Sequence, residues 1–219
     1  YPDELMTVYL ARDLVRPVKW IEERQESMTA TTHGRGQVYE VEMGVDLDGT
    51  IQGMRIHMLA HMGAHYAAST PVTPMVCAAC ITGGYKILDA VLRAEGVFTH
   101  TTALDAYRGY GRAESCYVIE RMINRLAQEI EMDPVALRRK NFIQPDEFPY
   151  ATAMNNVYDN GHYEVSLARA LELLDYDALR AQQRIARTEG HFLGIGISTH
   201  VWRGGFRSTK SMGIDNWVM

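Results

Sequence analysis

Apolar positions along the chain change their period several times, and each change marks an element. Between Asp3 and Leu14 they recur at helical spacing, and Arg16-Pro17 stops that run. Val18 to Glu22 reads as a short strand. From Gln37 the period becomes two, with Val38, Glu40 and Glu42 on one face and Tyr39, Val41 and Met43 on the other. Asp46 to Thr50 carries an Asp-Gly turn signal, and a second run to His65 predicts a long two-stranded ribbon. The small, charge-poor stretch from Ala67 to Gly84, with Pro71 and Pro74, predicts a buried connection rather than a solvent loop. Tyr85–Leu88 and Val91–Phe98 read as strands.

The strongest helical signal follows Arg112. Ile119, Met122, Ile123, Leu126, Ala127 and Ile130 form one apolar face, with Glu120, Arg121, Asn124 and Glu131 off it. Asp133-Pro134 restarts the chain as N-cap and first helical residue. A polar link runs over 144–161. Helices are then predicted over Tyr163–Leu174 and Tyr176–Arg187, followed by a buried strand at Phe192–Ser198. The order is α+β, with mixed sheets and packed helices. The division expected is 1–143, the linker 144–161, and the start of a second part over 162–219.

Composition narrows the function classes. Hydrophobic residues make up 47% and charged residues 22%, enough for a real core. A net charge of -5 argues against a general nucleic-acid binder. No apolar run reaches the roughly 20 residues of a membrane helix, so no membrane span is expected. Tyr1–Leu5 has neither a basic nor an apolar leader character, and both ends read as cuts through a longer chain.

Three cysteines exclude a disulfide scaffold. Cys77 and Cys80 have CxxC spacing, but a zinc site needs a second ligand pair and Cys116 is the only other thiol. Buried, inert thiols are expected. His57, His61 and His65, four apart, fall in the strand run and are read as structural.

The segment most suggestive of chemistry is Asp105 to Ser115. Gly109 and Gly111 let the backbone turn tightly and approach a ligand closely. The helix that follows presents its positive end, and Arg108 and Arg112 add charge, which together make an anion-binding corner. A plain glycine turn before a helix gives the same local pattern. No Gly-Lys-Ser/Thr follows, three dinucleotide-type glycines are missing, and Ser115 lacks flanking glycines, so three common motifs are excluded.

Ala106 to Arg112, then Ile119–Met122, Met132–Pro134 and Leu137–Ile143, strongly resemble the large subunits of the xanthine dehydrogenase and aldehyde oxidase family, in the carbon monoxide dehydrogenase-like branch. Arg16–Glu22 through Ala30–Arg35, Tyr158–Tyr163 and Gly194–Thr199 agree in order and spacing. The resemblance implies the family's molybdenum-cofactor-binding domain. It implies molybdenum with molybdopterin cytosine dinucleotide, the metal's ligands coming from the cofactor. Ala106, Tyr107, Arg108, Gly109, Tyr110, Gly111 and Arg112 are the cofactor-side residues it marks. It also implies a 2Fe-2S small subunit, an FAD-binding medium subunit, a dimer of heterotrimers and a cytoplasmic location. The reaction implied is oxidative hydroxylation of an aldehyde or N-heteroaromatic small molecule with water as oxygen source. The family's general-base Glu falls beyond Met219, so the chain alone is expected to be inactive.

Some positions depart from the family pattern. Carbon monoxide-oxidising relatives hold copper on a Cys where this chain has Gly109, and no other soft ligand sits there. Carbon monoxide dehydrogenase proper is therefore disfavoured, and a paralogue without cofactor is the other alternative. Met75 to Cys80 lacks the Arg of purine-oxidising relatives. Val201-Trp202-Arg203-Gly204 replaces an acidic residue of many relatives.

Overall fold

The structure is a computed structural model that describes residues 2–202. Helix α1 spans Pro2–Asp13 and α2 spans Arg24–Ala30. Neither buries a side chain, and the segment after them is tied to the rest of the fold at His33, which bridges Leu104. The ribbon forms as expected. Strand β1, Gln37–Val45, pairs antiparallel with β2, Ile51–Gly63, in the register Tyr39–Met58, Val41–Ile56 and Met43–Met54. Period-two patterning fixes which face turns inward, because a one-residue slip would expose every apolar side chain.

Four expectations need correction here. The ribbon is not two-stranded: β3, Asp89–Phe98, joins β2 in parallel, giving the order β1-β2-β3. Parallel pairing needs a crossover, and the stretch read as a connection contains a helix, α3, Val72–Cys80. That helix has no polar face for a period to show. Pro71 stands at its N-cap and Pro74 in its first turn, where no N–H is needed. Tyr85–Leu88 is not a strand. It makes a single bridge, Tyr85 to Phe142. Val18–Glu22 carries no strand either.

Helix α4, Arg112–Glu129, and α5, Pro134–Asn141, cover the inner sheet face with α3. Asp133 caps α5 by accepting from the amides of Val135 at 2.8 Å and Ala136 at 3.1 Å. The core gathers Ile51, Met54, Ile56 and Met58 from β2 against Ile81, Ile119, Ile123 and Leu137. The buried Asn141 side chain locks helix to hairpin. Its Nδ2 donates to Gly49 O, and its Oδ1 accepts from the Ile51 amide, both at 2.9 Å. The hairpin turn is thereby held by a residue about ninety positions away in sequence.

Over 144–161 there is a 3-10 turn, Pro145–Glu147, and a two-residue pair of strands, β4 (Tyr150–Ala151) and β5 (Val157–Tyr158). Helices α6, Tyr163–Leu174, and α7, Tyr176–Thr188, follow. Phe192–Ser198 was expected as a buried strand. It has no strand partner among the described residues, and Phe192 is exposed.

Candidate functional site

The loop before α4 is built where three segments converge. Asp105 anchors its start: the Asp105 amide donates to His33 O at 2.8 Å. The Asp105 carboxylate accepts from the Ser69 amide at 2.9 Å and the Ala106 amide at 2.7 Å. Tyr110 N–H then donates to Tyr107 O at 2.8 Å, and Arg112 N–H to Gly109 O at 3.0 Å. Ala106, Tyr107 and Arg108 stand at the surface, Gly109 and Tyr110 are half-buried, and Gly111 and Arg112 are buried.

Three successive residues take positive φ: Gly109 at +105°, Tyr110 at +48° and Gly111 at +80°. Glycine is needed at 111 for a second reason. A Cβ there would overlap the Thr73 carbonyl oxygen and stand 2.6 Å from the Cys77 amide nitrogen. Gly111 therefore lets the N-terminus of α4 sit directly on the backbone of α3. At 109 the inner side is looser, the nearest atom to an added Cβ being Ala113 Cβ at 3.2 Å.

The anion corner expected from sequence is realised differently in its charges. Arg108 is at the surface, but Arg112 is buried, with its guanidinium 5.4 Å from the centroid of the Trp202 ring. The helix's first amide is used within the turn rather than presented outward. Trp202 thus has a packing role beside the loop; Arg203 and Gly204, the rest of that departure, lie outside the described residues.

A residue that periodicity could not point to also meets the loop. Arg35 follows α2 on an irregular segment with φ +67°. Its Nη2 donates to the Arg108 carbonyl oxygen, its Nη1 lies 3.2 Å from Glu114 Oε2, and its guanidinium sits 4.9 Å from the Tyr107 ring centroid. The only sequence signal was its place in the Ala30–Arg35 stretch of the resemblance.

Glu120, read as lying off the apolar face of α4, is buried. Its Oε2 pairs with Arg138 Nη2 at 2.6 Å and Nε at 3.1 Å. It also accepts from Tyr85 OH at 2.5 Å and from the Thr199 amide and hydroxyl, each at 2.9 Å. Arg138 Nη2 reaches the Asn124 side chain and the Ile197 carbonyl, both at 3.0 Å. Three motifs of the resemblance (119–122, 137–143 and 194–199) therefore meet in one buried ion-pair cluster beneath α4. They hold the helix in place and do not face the loop surface.

The CxxC pair behaves as expected. Cys77 is fully buried and Cys80 half-buried, and neither is in a disulfide. Burial pushes the Cys77 thiol up to about 12, outweighing the hydrogen bond with Tyr39 OH at 3.0 Å, so it is a neutral thiol at physiological pH. His57 lies between Glu40 and Glu95 on the outer sheet face, at 3.5 and 2.9 Å, and His61 bonds the hydroxyls of Thr99 and Thr101.

Residues 1–142 match the model of the molybdopterin cofactor-binding domain. The chain belongs to this family. The carbon monoxide dehydrogenase large chain of Hydrogenophaga pseudoflava is 35% identical over 91% of this chain and 26% of its own length. The nicotine 6-hydroxylase large subunit of Paenarthrobacter nicotinovorans is 31% identical over 92% of this chain and 25% of its own. Quinoline 2-oxidoreductase from Pseudomonas putida 86 superposes with a TM-score of 0.87 at 30% identity, covering 99% of this chain and 28% of that one. The chain's likeness extends to large chains of carbon monoxide dehydrogenase and, more distantly, to molybdenum-binding subunits of xanthine dehydrogenases. The chain spans about a quarter of the length of the relatives it matches.

Proposed function

We propose that the chain forms part of the large subunit of a molybdenum hydroxylase that oxidises an aldehyde or an N-heteroaromatic compound, with the 106–112 loop against the cofactor. The observation that carries the choice of substrate class is Gly109. Carbon monoxide-oxidising relatives keep a copper-holding Cys at this position, and here the backbone is at φ +105°, a conformation that side-chain-bearing residues rarely adopt. The departure extends beyond a missing thiol, since a Cys at 109 would require the turn itself to be reshaped. The described thiols are on other elements, Cys77 and Cys80 on α3 and Cys116 on α4.

The residues present fit an anionic pterin group. Ala106, Tyr107 and Arg108 are exposed near the N-terminal end of an 18-residue helix, which favours an anion beside them. When bound, the molybdenum–pterin group supplies the redox chemistry that adds an oxygen from water to carbon. This chain's part is to present a fixed wall: Asp105 and Arg35 hold the loop backbone in place, and Arg108 contributes positive charge. Two relatives named for N-heterocycles, nicotine and quinoline, support that substrate class. The molybdopterin cytosine dinucleotide form, the 2Fe-2S and FAD subunits, a dimer of heterotrimers and the cytoplasm are part of the same reading.

Metal and pterin analysis of the full-length protein co-expressed with its iron-sulfur and flavin subunits tests this. Molybdenum close to one per large subunit is expected, with turnover of quinoline-like heterocycles or aldehydes and none of carbon monoxide. An absence of molybdenum under conditions that load a relative would overturn the enzymatic reading. Carbon monoxide oxidation would overturn the substrate class.

A further inference from the structure

We propose that Arg35 and Glu114 act as a positioning pair that sets the conformation of the 106–110 loop, a role that rests on that loop being the cofactor side of the site. The two residues come from segments 79 positions apart in sequence, so the contact is made only by the fold. Glu114 is in the first turn of α4, its side chain is 7% exposed, and its Oε2 lacks a hydrogen-bond partner apart from the ion pair with Arg35. A buried carboxylate needs such a counter-charge, which holds the guanidinium in one place.

From that place Arg35 directs another of its donors and its flat face at the loop. One nitrogen caps the Arg108 carbonyl oxygen and the guanidinium face lies against the Tyr107 ring. Gly34 permits the approach, because a Cβ there would stand 2.7 Å from Tyr107 Cβ. Arg35 itself is held at φ +67°, a costly conformation for a residue with a side chain. Such a conformation persists where surrounding contacts over-determine it, and among the described residues the Arg35 guanidinium bonds the loop and Glu114. The pair is also electrically closed. Glu114 neutralises Arg35, leaving Arg108 as the loop's surface cation.

The geometry explains why an arginine is required. A lysine could satisfy Glu114 or the Arg108 carbonyl, but it lacks the planar fork that reaches both while facing a ring. The role proposed for the pair is one of positioning, not of contact with substrate or cofactor. The pair acts through the orientation of Arg108 and Tyr107.

The test uses the full-length protein with its partner subunits, comparing wild type with Arg35→Gln, Arg35→Lys, Arg35→Gly and Glu114→Gln. Hydrogen exchange of the 105–112 peptide is the readout independent of activity. Arg35→Gln and Glu114→Gln are expected to raise exchange there at least fivefold, with peptides from β1 and β2 unchanged. Arg35→Gly relieves the backbone at φ +67°, so it should leave the melting temperature within a degree or two and still loosen the loop. Arg35→Lys should fall between wild type and Arg35→Gln. In the molybdenum-loaded enzyme the same variants should lower kcat about tenfold with less than a twofold change in KM. The double variant Arg35→Gln/Glu114→Gln should be no worse than either single one.

Unchanged loop exchange in Arg35→Gln and Arg35→Gly would overturn the pair's role, whatever the activity. Loosening of the loop with kcat intact in a loaded enzyme would keep the mechanical link but overturn its positioning role. If wild type itself loads no molybdenum, it is the functional reading that fails, and the exchange result still decides whether the pair controls the loop.

Discussion

Arg138→Leu is expected to destabilise the protein by about 3–5 kcal/mol, the range for removing one partner of a buried ion pair. Arg138 has no exposed surface, and its loss strands Glu120, which is 4% exposed, without a counter-charge. The hydrogen bonds from Tyr85 and Thr199 would remain, and they hold the carboxylate in its buried place rather than releasing it to water. The urea unfolding midpoint of the variant measures the loss. A companion, Glu120→Gln with Arg138→Met, removes both charges and should recover more than half of it, since the cost lies in an uncompensated charge. A loss below about 1 kcal/mol in Arg138→Leu would show that the cluster is solvated or replaceable.

Gly111→Ala should cost about 3 kcal/mol, from two separable sources. A left-handed conformation costs a side-chain-bearing residue about 1–2 kcal/mol. Forcing α4 away from the α3 backbone adds about 1–3 kcal/mol, as overpacking does. Gly190 provides the control, because it also has positive φ, at +80°, but an added Cβ meets nothing within 4 Å. Gly190→Ala should therefore show only the first source, about 1–2 kcal/mol. Equal losses in the two variants, measured by thermal unfolding, would mean that close packing of α4 on α3 contributes nothing.

The elements that could be read from the sequence are those whose signal is local. The β1–β2 register followed from alternation, α4 from its 3.6-residue stripe, and the start of α5 from Asp133-Pro134. The tight turn at Gly109 and Gly111 was legible from residue type, whereas their positive φ, and that of Tyr110 between them, was not. What could not be read depends on partners. Helix α3 is apolar all round its first turns, so no period distinguishes it from a buried loop. The parallel pairing of β3 is a property of the crossover and leaves no mark in its own residues. Phe192–Ser198 has the composition of a buried strand, yet strands need neighbours, and none lies among the described residues.

The candidate site divides in the same way. The loop's glycines announced themselves, and the resemblance gave them a role. Arg112 looked equivalent to Arg108 in sequence, but four positions along the turn separate a surface cation from one packed near an indole. Glu120 and Arg138 each sit at polar positions of their own helices, and only the packing of α4 on α5 turns them into a pair. Arg35 belongs to an irregular segment where no period exists to be read.

The mixed pairing of the sheet bears on the order of assembly during folding. The hairpin closes over residues 46–50, whereas β3 can join only after the chain has closed a crossover over 64–88. Closing the longer loop costs more chain entropy, so β1–β2 contacts are expected to be protected first in pulse-labelled hydrogen exchange, before β3. Strand β3 leads directly to Asp105, and α3 is the surface on which Gly111 must seat. The 106–112 turn, proposed above as the cofactor side, is therefore among the last parts of the sheet–helix unit to take shape, and a newly made chain has its hairpin before it has its loop.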